Sequence, residues 1–394
     1  MESHSNKKEH KWTNIILIIL TLTIVGYVAY VKGMLPIGLS RLVKLEDTME
    51  IVTLDIKEKY DIGLNGKQIY QITRNGITAY SFEGEEVWSD TFSMNNFVTM
   101  QREPYIAVGS KKGKNIILFN EKGRQAEVTT IHPIVYFSVN ESGGLVTIEN
   151  DNNAYIVTAY DAQGKWLCTR KSFVSTDGYP TVAELSPDNS QLIISYLSVD
   201  EPQVVSRIVA IDVRDSESQN TDNVKYGYKQ TNNLIYDIEF INQETWVSIG
   251  DKAIDWYDIE GRQIHTQTNL SLVFVPYLTQ LSPYGTGYLP AILTEKPTQN
   301  IVHRQDQLVY FDHKGEQTFS LDIESGVSSI YADENGVIIQ LDNVFKGYNK
   351  LGNLFFEYTA TTDVSKVVYN PSLRKGIAVN KEKVLLLTPK KENN

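Results

Sequence analysis

An all-β fold made of repeated four-stranded units, closed on itself and preceded by one membrane-spanning helix, is what this sequence predicts. Three observations carry the prediction. A hairpin motif, aromatic–(Asp/Asn/Ser)–x–x–Gly, recurs along the chain. Apolar runs of strand character flank its copies. A charge-free stretch, WTNIILIILTLTIVGYVAYV, lies near the N-terminus.

The motif occurs as YSFEG, FNEKG, YDAQG, YDIEG, FDHKG and YNKLG, anchored on Tyr80, Phe119, Tyr160, Tyr257, Phe311 and Tyr348. Glycine follows four residues on each time, at Gly84, Gly123, Gly164, Gly261, Gly315 and Gly352. A degenerate copy starts at Ile211 and has Asp215 in the glycine place. The short side chain after the anchor can accept a hydrogen bond from the N–H two residues on, and glycine supplies the positive φ that closes the turn. Asn and Asp tolerate that region better than other residues. Replacing Gly261 by Asn is therefore expected to cost far less than replacing it by Val.

Runs such as GITAYSF and KAIDWYD alternate with period two and are rich in Ile, Tyr and Trp, which marks strands. Two further short runs precede each hairpin, so the unit is four strands, a to d, with the motif between c and d. Anchor spacings are 39, 41, 51, 46, 54 and 37 residues. Repeats of that length and strand number mark a β-propeller. After the last hairpin come only three strands, VSKVVYN, KGIAVN and KVLLLTP, while an orphan strand, MEIVTLDI, precedes the first unit. The orphan is expected to complete the last unit as its d strand, leaving no open edge. The span 48–389 then divides into eight blades of about 43 residues, with seven blades as the competing count.

The YD-x-x-G-K hairpins resemble the repeats of quinoprotein-type (PQQ-like) propellers, and LSPDNSQLIIS resembles a WD40-like or TolB-like repeat. Along its length the chain is similar to membrane-anchored bacterial propellers of unknown function. The resemblance implies fold; propellers host many activities, so it selects none. The quinoprotein likeness would imply a redox cofactor. Enzymes of that family close the pocket with a vicinal disulfide, which the single Cys168 cannot supply, and no cofactor is expected.

Residues 12–31 form twenty uncharged positions, eleven of them Ile, Leu or Val, enough to cross a bilayer. No A-x-A cleavage site follows, so an uncleaved anchor is expected. Lys7, Lys8 and Lys11 precede the span, and Lys32, Arg41 and Lys44 follow it; the free amino terminus tips the balance towards an inside N-terminus. That places the propeller outside the cytoplasm at the cell membrane. Residues 32–47 read as a juxtamembrane linker in which LSRLVKLE forms a short amphipathic turn, and 390–394 as a tail. Residues before Glu46 carry +4; subtracting this from the chain's −11 leaves −15. Such acidity argues against nucleic acid as a partner.

Six histidines show no metal-binding spacing, and no G-x-S-x-G, P-loop or dinucleotide motif occurs. No catalytic, cofactor or metal residue is therefore expected. Strand order puts the d-to-a and b-to-c loops on the face opposite the hairpins. Long loops on a rigid scaffold commonly bind. STDGYP, SVDEPQ and EKPTQNIVHRQ offer Asp177, Tyr179, Asp200, Glu201, Lys296, His303 and Arg304 as candidate binding residues. The expected role is a non-catalytic protein-interaction scaffold tethered in the cell envelope, with a protein or a cell-wall polymer as partner. The alternative is a carbohydrate-binding propeller or envelope enzyme with its site at the central channel.

Overall fold

The computed structural model describes residues 42–198, 202–213, 223–268, 272–274, 287–294, 306–323, 326–333 and 335–391. The predicted span at 12–31 and Asp215 lie outside them. Among the described residues every regular element is a strand.

Six four-stranded sheets follow one another along the chain, covering 60–91, 97–129, 134–173, 179–231, 235–268 and 272–323. A seventh sheet has eight strands and consists of two such units, 329–359 and 364–389, the latter completed by the strand Val43–Thr53. Val43–Thr53 runs antiparallel to Lys383–Pro389, pairing Met49 with Leu386 and Val52 with Val384. This is the pairing expected between MEIVTLDI and KVLLLTP.

The strand starts earlier than its sequence suggested. Val43, Lys44 and Leu45 pair in parallel with Phe356, Glu357 and Tyr358 of the neighbouring unit. The expected amphipathic turn at LSRLVKLE is corrected here: Leu45 is buried among Phe355, Phe356 and Leu387, and its backbone finds a strand to pair with. A turn would leave both the side chain and those backbone groups without that partner.

Packing joins each unit to the next through one apolar cluster per interface. First and second share Tyr70, Ile72, Phe97 and Phe119; third and fourth share Ile148, Val157, Ile194 and Tyr196. The last unit meets the first in the same way, through Val52, Ile62, Ile69, Val379 and Val384. The first strands of the second to fifth units, Phe97–Arg102, Ile134–Val139, Tyr179–Leu185 and Ile235–Phe240, touch successive neighbours at the centre.

The hairpin motif closes as its residues dictate. All six glycines have φ between 76° and 102°. Ser81, Asn120, Asp161, Asp312 and Asn349 accept from the N–H two residues on, at 2.8–3.1 Å. Each glycine also leans on the fourth strand of the preceding unit. A Cβ at Gly123 would meet Trp88 at 3.8 Å, and one at Gly84 would meet Ile51 of Val43–Thr53 at 3.5 Å. At Gly261 it would run into Tyr228 Oη and stand 2.7 Å from Tyr226 Cδ2. Asn suits the φ at Gly261, but its Cβ must displace these rings just as that of Val must, so a steric cost is added to both.

Candidate functional site

Two places concentrate chemistry. One is the face carrying the d-to-a and b-to-c loops; the other is a buried polar cluster at the centre.

On the loop face, the turn between Trp166–Phe173 and Tyr179–Leu185 is held by Asp177. Its Oδ2 accepts from Phe173 N–H at 2.9 Å and Thr176 Oγ1 at 3.0 Å, and its other oxygen lies 3.6 Å from Arg170. Asp177 thus braces its own loop. Tyr179, 42% exposed, stands edge-on to Tyr155 with ring centroids 5.9 Å apart. Phe173 is 49% exposed, with Lys171 Nζ 5.7 Å from its ring centroid. Lys171 reaches Asp151 at 3.2 Å, and Asp151 in turn lies 3.6 Å from His132 Nδ1, beside the 77% exposed Ile131. Val135 and Val204 add exposed apolar surface at strand starts on this same face. The outcome is exposed apolar and aromatic side chains over the third and fourth units, among which the described Asp151, Lys171, Arg170 and Asp177 are paired with one another or with neighbours. The other candidates, Asp200, Glu201, Lys296, His303 and Arg304, lie outside the described residues.

The central cluster comes from four consecutive inner strands. Arg102 ends the first of them and donates to Glu239 Oε1 at 2.5 Å, with both side chains buried. Tyr136 donates its hydroxyl to Glu184 Oε1 at 2.8 Å, and Asp237 Oδ1 accepts from Ile238 N–H at 2.9 Å. Burial raises the carboxyl pKa values here: Glu184 is pushed up to about 8 against the pull of Arg102, and Asp237 up to about 6. Glu239 is also driven well up by burial, again opposed by Arg102. Burial works against the charge on Arg102, yet Glu239, Glu184, Glu141 and Asp237 together hold its pKa above the ordinary value. A single guanidinium facing three carboxylates favours a cluster that keeps protons. Among the described residues no three His, Cys, Asp or Glu side chains are placed to hold a metal ion. Sequence reasoning passed over these residues. Their only trace is an acid or base inside otherwise strand-like runs: FVTMQR, PTVAEL and YDIEF.

On the hairpin face, a polar cleft of about 240 Å³ lies between the fourth and fifth units, lined by Asp188, Gln191, Asp212, Lys225, Glu244 and Glu260. Lys225 is paired with Glu260 at 3.2 Å.

A family model described as "Family of unknown function (DUF5711)" matches residues 43–386. The chain belongs to the DUF5711 family. Its matched region begins at the first residue of Val43–Thr53 and so takes in the strand that completes the last unit. No curated protein matches the chain. Among solved structures, Sqt1 from Chaetomium thermophilum is 14% identical with a TM-score of 0.50, covering 88% of this chain and 100% of that one. BamB from Moraxella catarrhalis is 11% identical, with a TM-score of 0.49 over 88% of this chain and 100% of that one. Both are β-propellers. The Sqt1 likeness bears on fold alone, and the chain is a β-propeller by that likeness and its succession of four-stranded sheets.

Proposed function

We propose that this chain is an eight-bladed propeller, tethered to the cell membrane by residues 12–31, which docks a protein partner on its loop face without catalysis. The observation that carries this reading is the exposure on one face of Ile131, Val135, Phe173, Tyr179 and Val204, with the half-buried Tyr155 edge-on to Tyr179. Exposed aromatic and branched apolar side chains gathered on one face mark interaction sites. Among the described residues Lys171, Asp151, Arg170 and Asp177 are engaged with one another or with neighbours, so the surface suits an apolar or aromatic anchor of a protein segment. Sqt1 has been crystallised bound to the N-terminus of ribosomal protein L10, a property of Sqt1.

The tether rests on the uncharged span and its missing cleavage site, and the outward placement on the charges flanking it. The non-catalytic reading rests on the engagement of Glu239 with Arg102 and of Glu184 with Tyr136, both carboxylates being buried among the inner strands. A carbohydrate site would need aromatic rings beside carboxylates open to sugar hydroxyls. Asp151 and Asp177 spend theirs on Lys171, His132, Arg170 and the turn backbone.

The test is photocrosslinking in cells. A photoreactive residue at Phe173 or Tyr179 is expected to capture one discrete protein, whereas one at Trp166 on an outer strand captures none. Capture of glycan alone by the loop-face probes would sink the reading.

A further inference from the structure

The six hairpins and the apolar surface lie on opposite faces, and the strand that joins the propeller to the rest of the chain has a direction. Leu45 pairs with Pro389 and Thr53 with Lys383. Lys383–Pro389 runs from its b-to-c turn towards the hairpin face, so the antiparallel Val43–Thr53 begins on the hairpin face and ends on the loop face. Its parallel pairing with Phe356–Tyr358, just past the hairpin Asn349–Asn353, fixes the same end. The Lys390 N–H donates to the Lys44 carbonyl at 2.7 Å, which holds the departing C-terminal chain at the same place.

We infer that the hairpin face is the one turned towards the bilayer, and that the Ile131–Tyr179 surface is presented on the membrane-distal side. The partner is then a protein that approaches from the side away from the lipid, rather than one embedded beside the anchor. This inference rests on residues 12–31 being a membrane span. The chain enters at the hairpin rim already paired on both sides, to Lys383–Pro389 and to Leu354–Thr359, so its first residues cannot swing to the other face without breaking those pairs. Strands of six to eight residues separate the two faces by about 20–26 Å. Ten linker residues, 32–41, extend to about 35 Å at most, so with the loop face down more than half of that reach would go to crossing the outer edge, whereas with the hairpin face down the chain enters directly.

The test uses the full chain in liposomes containing lipids with a quencher at the headgroup. In a Cys168→Ser background, an environment-sensitive dye is attached at Lys122 or Glu260 on the hairpins, or at Ile131 or Thr176 on the loops. Flotation comes first. A chain that fails to float with the vesicles removes the tether and this inference with it, and does so before any dye is read. For a chain that floats, quenching is expected at Lys122 and Glu260 and absent at Ile131 and Thr176. Equal quenching at all four sites, or the reverse order, overturns the orientation while leaving the tether standing.

Discussion

Substitutions at the hairpin glycines separate two physical effects that the motif combines. At Gly123, with φ of 102°, a Cβ would sit 3.8 Å from Trp88, an ordinary contact. Replacement by Ala there should cost only the left-handed penalty, about 1–2 kcal/mol. At Gly261, with φ of 85°, the same Cβ would press on Tyr228 and Tyr226. Those rings are not free to retreat: Tyr226 Oη accepts from Trp246 Nε1 at 3.2 Å, and the Tyr228 ring stacks 5.3 Å from Tyr257. Forcing an atom into such packing adds about 1–3 kcal/mol, so Gly261→Ala should cost about 2–5 kcal/mol in all. Asn distinguishes the two terms because it relieves the backbone cost and not the steric one. Gly123→Asn should be nearly neutral, whereas Gly261→Asn should keep the steric part, about 1–3 kcal/mol, and fall between Gly123→Asn and Gly261→Ala. Urea denaturation of the full chain in detergent, followed by tryptophan fluorescence, gives the order of midpoints. If Gly261→Asn melts with Gly123→Asn, the tyrosine pair yields easily and the steric argument is wrong. If Gly123→Val melts with Gly123→Asn, the positive φ is not what selects glycine.

Three further outcomes are expected. Glu184 is raised in the fold to about 8 from an ordinary 4.5, so the folded state binds more protons than the unfolded one between those values. Stability should then fall as pH rises through that window, with a slope of at most about 1.4 kcal/mol per pH unit per proton, and Glu184→Gln should flatten it. A melting temperature that rises from pH 5 to 8, or a Gln variant with an unaltered profile, would contradict this. Arg102→Met should cost about 3–5 kcal/mol by leaving Glu239 buried without its cation, and adding Glu239→Met should recover much of the loss. A double-mutant cycle with no coupling would show the pair to be incidental. Deleting residues from Val384 onward removes the strand between Lys375–Asn380 and Val43–Thr53 and should give oligomers in size-exclusion chromatography. A truncated chain that stays monomeric at unchanged melting temperature would mean that closure is not made there.

What could be read from the sequence was what its local chemistry determines. The hairpins were legible because Ser81, Asn120, Asp161 and their equivalents act within five residues of the backbone they cap. The pairing of MEIVTLDI with KVLLLTP was legible by counting, since three strands at one end and one at the other leave a single complementary solution. The start of that strand at Val43 was not, because its partner Phe356 comes from the far end of the chain and belongs to a different unit. The central cluster was hidden for the same kind of reason: Arg102, Tyr136, Glu184 and Asp237 sit on separate units and meet only because the inner strands converge. Of the candidate loop residues, Tyr179 falls in the exposed surface, while Asp177 proves to be a brace, a role that depends on a turn whose shape the letters STDGYP do not specify.

The closing strand links folding to anchorage. Val43–Thr53 is the first described strand, yet its main partner, Lys383–Pro389, is the last. No neighbouring segment can substitute, because the unit that follows in sequence already has four strands of its own. Such contacts are the slowest to form, since the loop they close spans nearly the whole propeller. Until they form, Val52 and Leu54 lack the cluster of Val379, Val384 and Leu386 that buries them, and two strand edges stay open to other chains. A segment held at the bilayer by the proposed anchor during that interval is kept where its partner strand must arrive, and it is withheld from pairing with free copies in solution. The residues that would tether the propeller are thus separated from those that close it by only a short linker, 32–41. Weakening the closure, for instance by Val384→Asp, should therefore cause more aggregation in a chain lacking residues 1–41 than in the anchored chain at equal concentration. Equal aggregation of the two, measured by light scattering after refolding with and without vesicles, would show that anchorage has no part in closure.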